Sequence, residues 1–237
     1  MAMEVLQNRL QISNSRKELA GRGISFIDSP TKAFMRKIRL WRRIAVGDWL
    51  KSWDVFTTVN FLEHHIQKNE PILDIGCYAS EVIVALHKLG YSNLTGIDLN
   101  SNLQKMPYPK TIRYEIANFM NTKFADASFQ AITSISVIEH GFNGASLLKE
   151  MSRLLKPGGC FISSFDYWPE KIDTTGQNFF GMDWKIFSKN EIADFINEAT
   201  AYNLFPVGTM DYTSGDKAID YWGKQYTFAW LALEKKV

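Results

Sequence analysis

The chain has 237 residues, enough to bury one α/β domain with an appended cap, and its hydrophobic (46%) and charged (22%) fractions are those of an ordinary globular protein. A formal net charge of +2 argues against a bulk electrostatic grip on nucleic acid. Its two cysteines, Cys77 and Cys160, give neither a disulfide scaffold nor a cysteine metal site, and no apolar run is long enough to span a bilayer. The first ten residues are polar and mixed, unlike a signal peptide, so the expectation is a cytoplasmic protein with free buried thiols.

Residues 1–30 are weakly patterned and end at Pro30, with part of them expected to be poorly ordered. Residues 31–53 are basic and aromatic: Lys32, Arg36, Lys37, Arg39, Arg42, Arg43 and Lys51, with Trp41, Trp49 and Trp53 among them. Two readings apply. Either a cap helix turns its charges to solvent, or the segment lines the entrance for an anionic acceptor, with tryptophans stacking on rings. Residues 54–67 have helical spacing, with Val55, Val59, Leu62 and Ile66 on one face and Asp54 as a candidate cap.

From Pro71 strands and helices alternate. Strands are expected at 72–75, 94–98, 111–116, 130–136 and 160–165, with helices at 80–89 (Ser80 as N-cap, Gly90 as stop) and 144–155. Residues 166–187 form an aromatic insertion with Trp168, Phe179, Phe180, Trp184 and Phe187. Ser188 and Glu191 read as a capping box for a helix to about 199, and strands follow at 204–209 and 226–234. Strands joined by helices demand a parallel sheet. The last two strands lack an intervening helix and are expected to pair antiparallel. The fold class is therefore α/β: a Rossmann-like, seven-stranded, mostly parallel sheet with the last strand antiparallel and helices on both faces. The expected division is an N-terminal helical cap (1–53) and a main domain (54–237), with pocket insertions at 166–187 and 210–225 that include Tyr212, Tyr221 and Trp222.

Ile72-Leu73-Asp74-Ile75-Gly76-Cys77, followed by Thr95-Gly96-Ile97-Asp98, is the most informative stretch. Each piece is a short apolar strand that ends near an acid. Such a pair of strand tips suits an adenosyl ligand, because a tight turn lets backbone approach and a carboxylate on the next strand accepts ribose hydroxyls. With Ala117-Asn118-Phe119, Ser136-Val137-Ile138-Glu139-His140 and Leu155-Lys156-Pro157-Gly158-Gly159 in the same order, the chain resembles the class I S-adenosylmethionine-dependent methyltransferases over about residues 55–237.

The resemblance implies S-adenosyl-L-methionine as cofactor, held by Asp74, Gly76, Cys77, Tyr78, Ser80, Asp98, Leu99, Asn118, Phe119, Ser136 and Val137, with no metal. It implies that Asp74 is oriented toward the methionine amino group and Asp98 toward the ribose hydroxyls. An Asp at position 98 with only a structural role is expected to lack a partner. Asn118 stands where the family often has Asp, and Phe119 and Leu99 are read as flanking adenine. The chain departs from the family where the usual loop has two further glycines, here Tyr78 and Ser80, so that Tyr78 needs a permissive backbone angle or a reshaped loop.

Candidates to face the transferred methyl are Ser136, His140, Asp166, Tyr167 and Glu170, with His140 and Asp166 named as catalytic candidates. His64, His65 and His87 read as surface histidines. The expected acceptor is a small molecule, with an anionic compound, a saccharide or a secondary-metabolite intermediate as the classes considered. The competing readings are an RNA methyltransferase using the basic segment, a dinucleotide oxidoreductase lacking its glycines, and a catalytically silent partner subunit.

Overall fold

The computed structural model describes residues 1–38, 44–141, 143–179 and 181–237, with side chains left undescribed at 30, 32 and 33. Arg39, Trp41, Arg42, Arg43 and Phe180 lie outside the described residues, as does the side chain of Lys32. In chain order the elements are β1 (Met3–Val5), α1 (Arg9–Gly21), α2 (Pro30–Lys37), α3 (Ser52–His65), β2 (Ile72–Ile75), α4 (Val82–Lys88), β3 (Leu94–Asp98), β4 (Ile112–Ile116) and β5 (Phe129–Ile135). They continue with α5 (Gly144–Leu154), β6 (Leu155–Tyr167), β7 (Asn178–Phe179), β8 (Met182–Asp183), α6 (Lys189–Thr200), β9 (Leu204–Pro206), β10 (Ile219–Tyr221) and β11 (Lys224–Lys235).

The central sheet runs β1-β11-β6-β5-β2-β3-β4. Strands β4, β3, β2, β5 and β6 are mutually parallel, and β11 joins β6 antiparallel. All four residues of β2 are buried, as expected of a parallel strand covered on both faces. One apolar cluster packs α1, α3 and α4 on one face, and a second packs α5 and α6 on the other. The mostly parallel sheet with an antiparallel edge strand and helices on both faces agrees with the sequence expectation.

The differences lie at the edge and at helix starts. The first thirty residues hold a strand and a helix, β1 and α1. Asn8 and Gln11 form a capping box that starts α1, a signal that was present in the sequence as Asn-x-x-Gln. Strand β1 lies against the outer edge of β11, with Met3 opposite Leu231 and Val5 opposite Ala229, and β9 shares that edge further along. The described sheet is thus nine-stranded rather than seven-stranded. Covering the hydrogen-bonding groups of β11 keeps an apolar edge from templating other chains.

Helix α3 begins at Ser52, and its N-cap Lys51 makes no side-chain cap bond. Asp54 is therefore not the cap; it sits inside the first turn, fully buried. Ser80 is not a cap either, because α4 begins at Val82 with Glu81 at its N-cap. The capping box at Ser188 and Glu191 is present as expected and starts α6.

Candidate cofactor and acceptor site

In a parallel sheet the carboxyl ends of neighbouring strands share one edge, so β2, β3 and β5 deliver Asp74, Asp98 and Ser136 to a common crevice. Asp74 is 1% exposed. Its Oδ1 accepts from the Thr133 hydroxyl at 2.6 Å, while Oδ2 has no hydrogen bond among the described residues. Burial pushes its pKa up to about 6, opposed first by Thr133 and then by Ser80 and Cys77, which lie close without meeting hydrogen-bond geometry. The crevice therefore holds a buried carboxylate oxygen that still needs a donor.

Asp98 has protein partners, contrary to the sequence expectation. The Tyr78 amide donates to its Oδ2 at 2.9 Å and the Asn100 amide to its Oδ1 at 2.8 Å. Each carboxylate oxygen keeps a second lone pair for an external donor. The Tyr78–Asp98 bond also closes the loop after β2 onto the tip of β3.

That loop bends in a different place from the one the sequence suggested. Gly76 has φ +65°, and the second left-handed residue is Ala79 at φ +63°, not Tyr78. A Cβ on Gly76 would clash with Val137 Cγ2, so this glycine is required by the loop after β5 as well as by any ligand. Cys77 turns inward: its thiol is fully buried and occupies the space where a Cβ on Gly96 would stand. The half-buried Tyr78 ring rests on the α1/α3/α4 core.

On the adenine side, Leu99 is 64% exposed at the tip of β3. Asn118 is exposed, its Oδ1 accepting from the Met120 amide at 3.0 Å in an Asx turn, and Phe119 packs partly on the α5/α6 core. Ser136 also takes a left-handed angle (φ +54°), with its amide donating to Ser164 O at 3.0 Å. A β-carbon-bearing residue in that region is strained, and such strain concentrates at functional sites.

Beyond β5 and β6 lies a second group that the sequence did not bring together. Asp54, Glu139 and Asp166 are all at least 95% buried, and Lys51 lies against two of them, Asp54 and Asp166. Lys51 Nζ is 3.7 Å from Asp166 Oδ1 and 3.9 Å from Asp54 Oδ2, and sits 3.3 Å from the centre of the Phe228 ring. Trp184 Nε1 donates to Asp166 Oδ2 at 2.7 Å. Burial is the main cause that pushes Asp54 up to about 7 and Glu139 up to about 8. His140 follows in the same turn, held by its amide donating to Val137 O at 3.1 Å, and burial lowers its pKa. Asp54 was visible only as a helix residue. Its signal was an acid on the same face as Thr58, four residues on, which accepts from Trp230 Nε1 at 3.0 Å.

The two insertions meet here. Phe179 packs edge-on to Trp184 and Trp222 at 5.1 and 5.2 Å between ring centres, and Trp184 is 5.7 Å from Tyr226. Trp184 and Phe187 are buried, whereas Trp222 is 66% exposed. His64 and His65 are exposed as expected, but His87 is half-buried against the Tyr108 ring at 4.2 Å. No trio of His, Cys, Asp or Glu able to hold a metal ion occurs among the described residues. A cavity of about 410 Å³ between α1 and α3 is lined by Glu18, Phe56, His64 and Trp230 among others and contains none of the motif residues.

The buried acids set a pH signature. Asp54 and Glu139 carry raised values in the folded chain, about 7 and 8 against ordinary values of 3.8 and 4.5. The folded state thus binds more protons than the unfolded state between about pH 4 and 8, and stability falls as pH rises through that window. Thermal melts at pH 5, 6, 7 and 8 should show a declining midpoint, and Asp54→Asn should flatten the decline. A midpoint that rises over this range contradicts the assignment.

Residues 73–163 match the family described as "Methyltransferase domain". The chain is 27% identical over 134 residues to cycloartenol-C-24-methyltransferase of Arabidopsis thaliana, covering 52% of this chain and 38% of that protein. It is 31% identical over 117 residues to the mitochondrial ubiquinone biosynthesis O-methyltransferase of Dictyostelium discoideum, covering 40% and 35%. The match thus spans little more than a third of either relative's length. The structure superposes on the Burkholderia thailandensis 1,6-didemethyltoxoflavin-N1-methyltransferase, solved with bound 1,6-didemethyltoxoflavin and S-adenosylhomocysteine, with a TM-score of 0.58 at 14% identity over 98% of this chain and 92% of that one. Among the described residues no helix is long and apolar enough to cross a membrane. On its motifs, its sheet order and this match, the chain is similar to the class I S-adenosylmethionine-dependent methyltransferases, with residues 73–163 matching the methyltransferase domain.

Proposed function

We propose that this protein transfers the methyl group of S-adenosyl-L-methionine to a small-molecule acceptor. The observation that carries this reading is the buried, donor-less Asp74 Oδ2 beside the half-open Asp98 carboxylate, on adjacent strand tips. An ammonium group suits the first and a pair of ribose hydroxyls the second. Leu99 supplies an apolar face and Asn118 a hydrogen-bonding edge for adenine. Gly76, Tyr78, Ser80, Ser136 and Val137 border the crevice between them.

The cofactor supplies an electrophilic methyl on sulfur, so the protein's task is alignment and exclusion of water. Residues 136–140 run from the cofactor crevice to the buried cluster of Asp54, Glu139 and Asp166, which supports an acceptor position beside Glu139 and His140. The relatives' own names specify transfer to carbon, oxygen and nitrogen, so the acceptor atom has to be read from this chain's own site.

Calorimetry with S-adenosylhomocysteine tests the reading. Micromolar binding is expected, weakening as pH falls through about 6, where Asp74 takes up its proton and loses the charge that the ligand ammonium needs. Absence of binding at millimolar ligand would favour a catalytically silent subunit instead.

A further inference from the structure

The cavity between α1 and α3 lies apart from the strand-tip motifs, and its lining is graded from buried to exposed. The floor is aromatic: Trp230 and Trp53 are 1% and 5% exposed, and the half-buried Phe61 packs 5.3 Å from Trp230 between ring centres. The wall is half-buried and polar, with Glu4 from β1, Gln11 from α1 and Asn60 from α3. Asn14, Glu18 and His64 stand exposed at the rim. The volume of about 410 Å³ falls within the span of small-molecule sites, roughly 300–1,000 Å³.

Several of these polar groups have no protein partner. Ser15 is 95% buried and lines the cavity, yet its hydroxyl makes no hydrogen bond among the described residues. A buried hydroxyl left in that state costs stability unless something else satisfies it. The Glu4 and Glu18 carboxylates have neither an ion pair nor a hydrogen bond among the described residues. Gln11 spends its Oε1 on the Gln7 and Asn8 amides and keeps its Nε2 hydrogens free. His64 Nδ1 lies 2.7 Å from Asn60 O; a carbonyl only accepts, so Nδ1 carries the proton and Nε2 is left as an acceptor.

Donors and acceptors thus alternate over aromatic rings, and this mixture selects the occupant. A hydroxyl group both donates and accepts, so a ring that carries several of them satisfies the set. An ammonium ion only donates and would leave the amide N–H groups unpaired. A phosphate or carboxylate only accepts, and it would face Glu4 and Glu18 with no lysine or arginine side chain in the lining.

We propose that this cavity is a second small-molecule site that takes an uncharged polyhydroxylated ring of the pyranose type. The C–H face of the ring lies against Phe56 and Phe61, and its hydroxyls meet Ser15, Glu18 and Asn60. The proposal stands independently of the methyl-transfer reading, because none of these residues belongs to the strand-tip crevice.

The test is a magnetic-resonance titration of the full, nitrogen-labelled chain that follows the side-chain amide and indole N–H signals. The probes are the methyl glycosides of glucose, galactose and mannose, with tetramethylammonium and inorganic phosphate as charged comparisons. At least one glycoside is expected to shift the Gln11, Asn60 and Trp230 signals along a saturable millimolar curve, and neither ion to do so. Glu18→Ala and Asn14→Ala lie on the exposed face of α1, where alanine suits a helix. Each should weaken glycoside binding by about fivefold and leave S-adenosylhomocysteine affinity unchanged. Lack of saturation with all three glycosides, as for a cavity that holds only water, tighter binding of either ion, or glycoside affinity unmoved by both variants overturns the proposal.

Discussion

Arg16→Ala is expected to destabilise the protein by about 3–5 kcal/mol, the cost of leaving a buried charge without its partner. Arg16 on α1 reaches Glu81 with both terminal nitrogens, each at 2.8 Å, and the Glu81 side chain is only 1% exposed. The same guanidinium donates to Ser52 at 2.9 Å and Ser25 at 2.9 Å, and the Phe26 amide donates to Glu81 at 2.6 Å. One ion pair thus fastens α1, residues 25–26 and the start of α3 to the N-cap residue of α4. The Gly47 amide donating to Ala79 O at 2.9 Å adds a second fastening to the same loop. Urea titration would measure the loss. A change below about 1 kcal/mol would mean that the pair behaves like a solvent-screened surface bridge. Arg16→Met paired with Glu81→Leu should recover much of the stability, because the charge is then absent from both sides.

Asp98→Ala is expected to weaken S-adenosylhomocysteine binding by about 2–4 kcal/mol, roughly thirty- to a thousand-fold, through the loss of charge-assisted hydrogen bonds. The structure adds a second consequence. The Tyr78 and Asn100 amides lose their acceptor, so the loop after β2 loosens and the melting midpoint falls as well. The two effects are separable by calorimetry and thermal melting on the same sample. A lower midpoint with unchanged affinity would assign Asp98 to holding the turn and remove it from the ligand site.

The parts of the fold that were legible in the sequence are those whose signals are local. The strand at 72–75, the one ending at Asp98, the helix over 144–154 and the Ser188–Glu191 capping box all lie close to where their patterns place them. What was misplaced depended on partners distant in the chain. Met3–Val5 is too short to announce itself, and it is a strand because β11 offers an open edge more than two hundred residues later. Tyr78 drew attention as a non-glycine at a glycine position, yet the left-handed angle sits one residue on, at Ala79, because the Tyr78 amide is held by Asp98.

The site divides along the same line. Asp74, Gly76 and Asp98 could be named from spacing because neighbouring parallel strands of similar length necessarily bring their tips together. By itself the sequence determined a Rossmann-like sheet and two acids, Asp74 and Asp98, at adjacent strand tips. Tertiary structure alone decided the buried acid cluster: Asp54 comes from a helix, Glu139 from a turn and Asp166 from a strand end, and Lys51 reaches Asp54 and Asp166 from a short turn. Hydrophobic and capping patterns record which way each element faces. They do not record which polar groups from different elements are buried together, and burial is what gives those groups their unpaired oxygens and shifted protons.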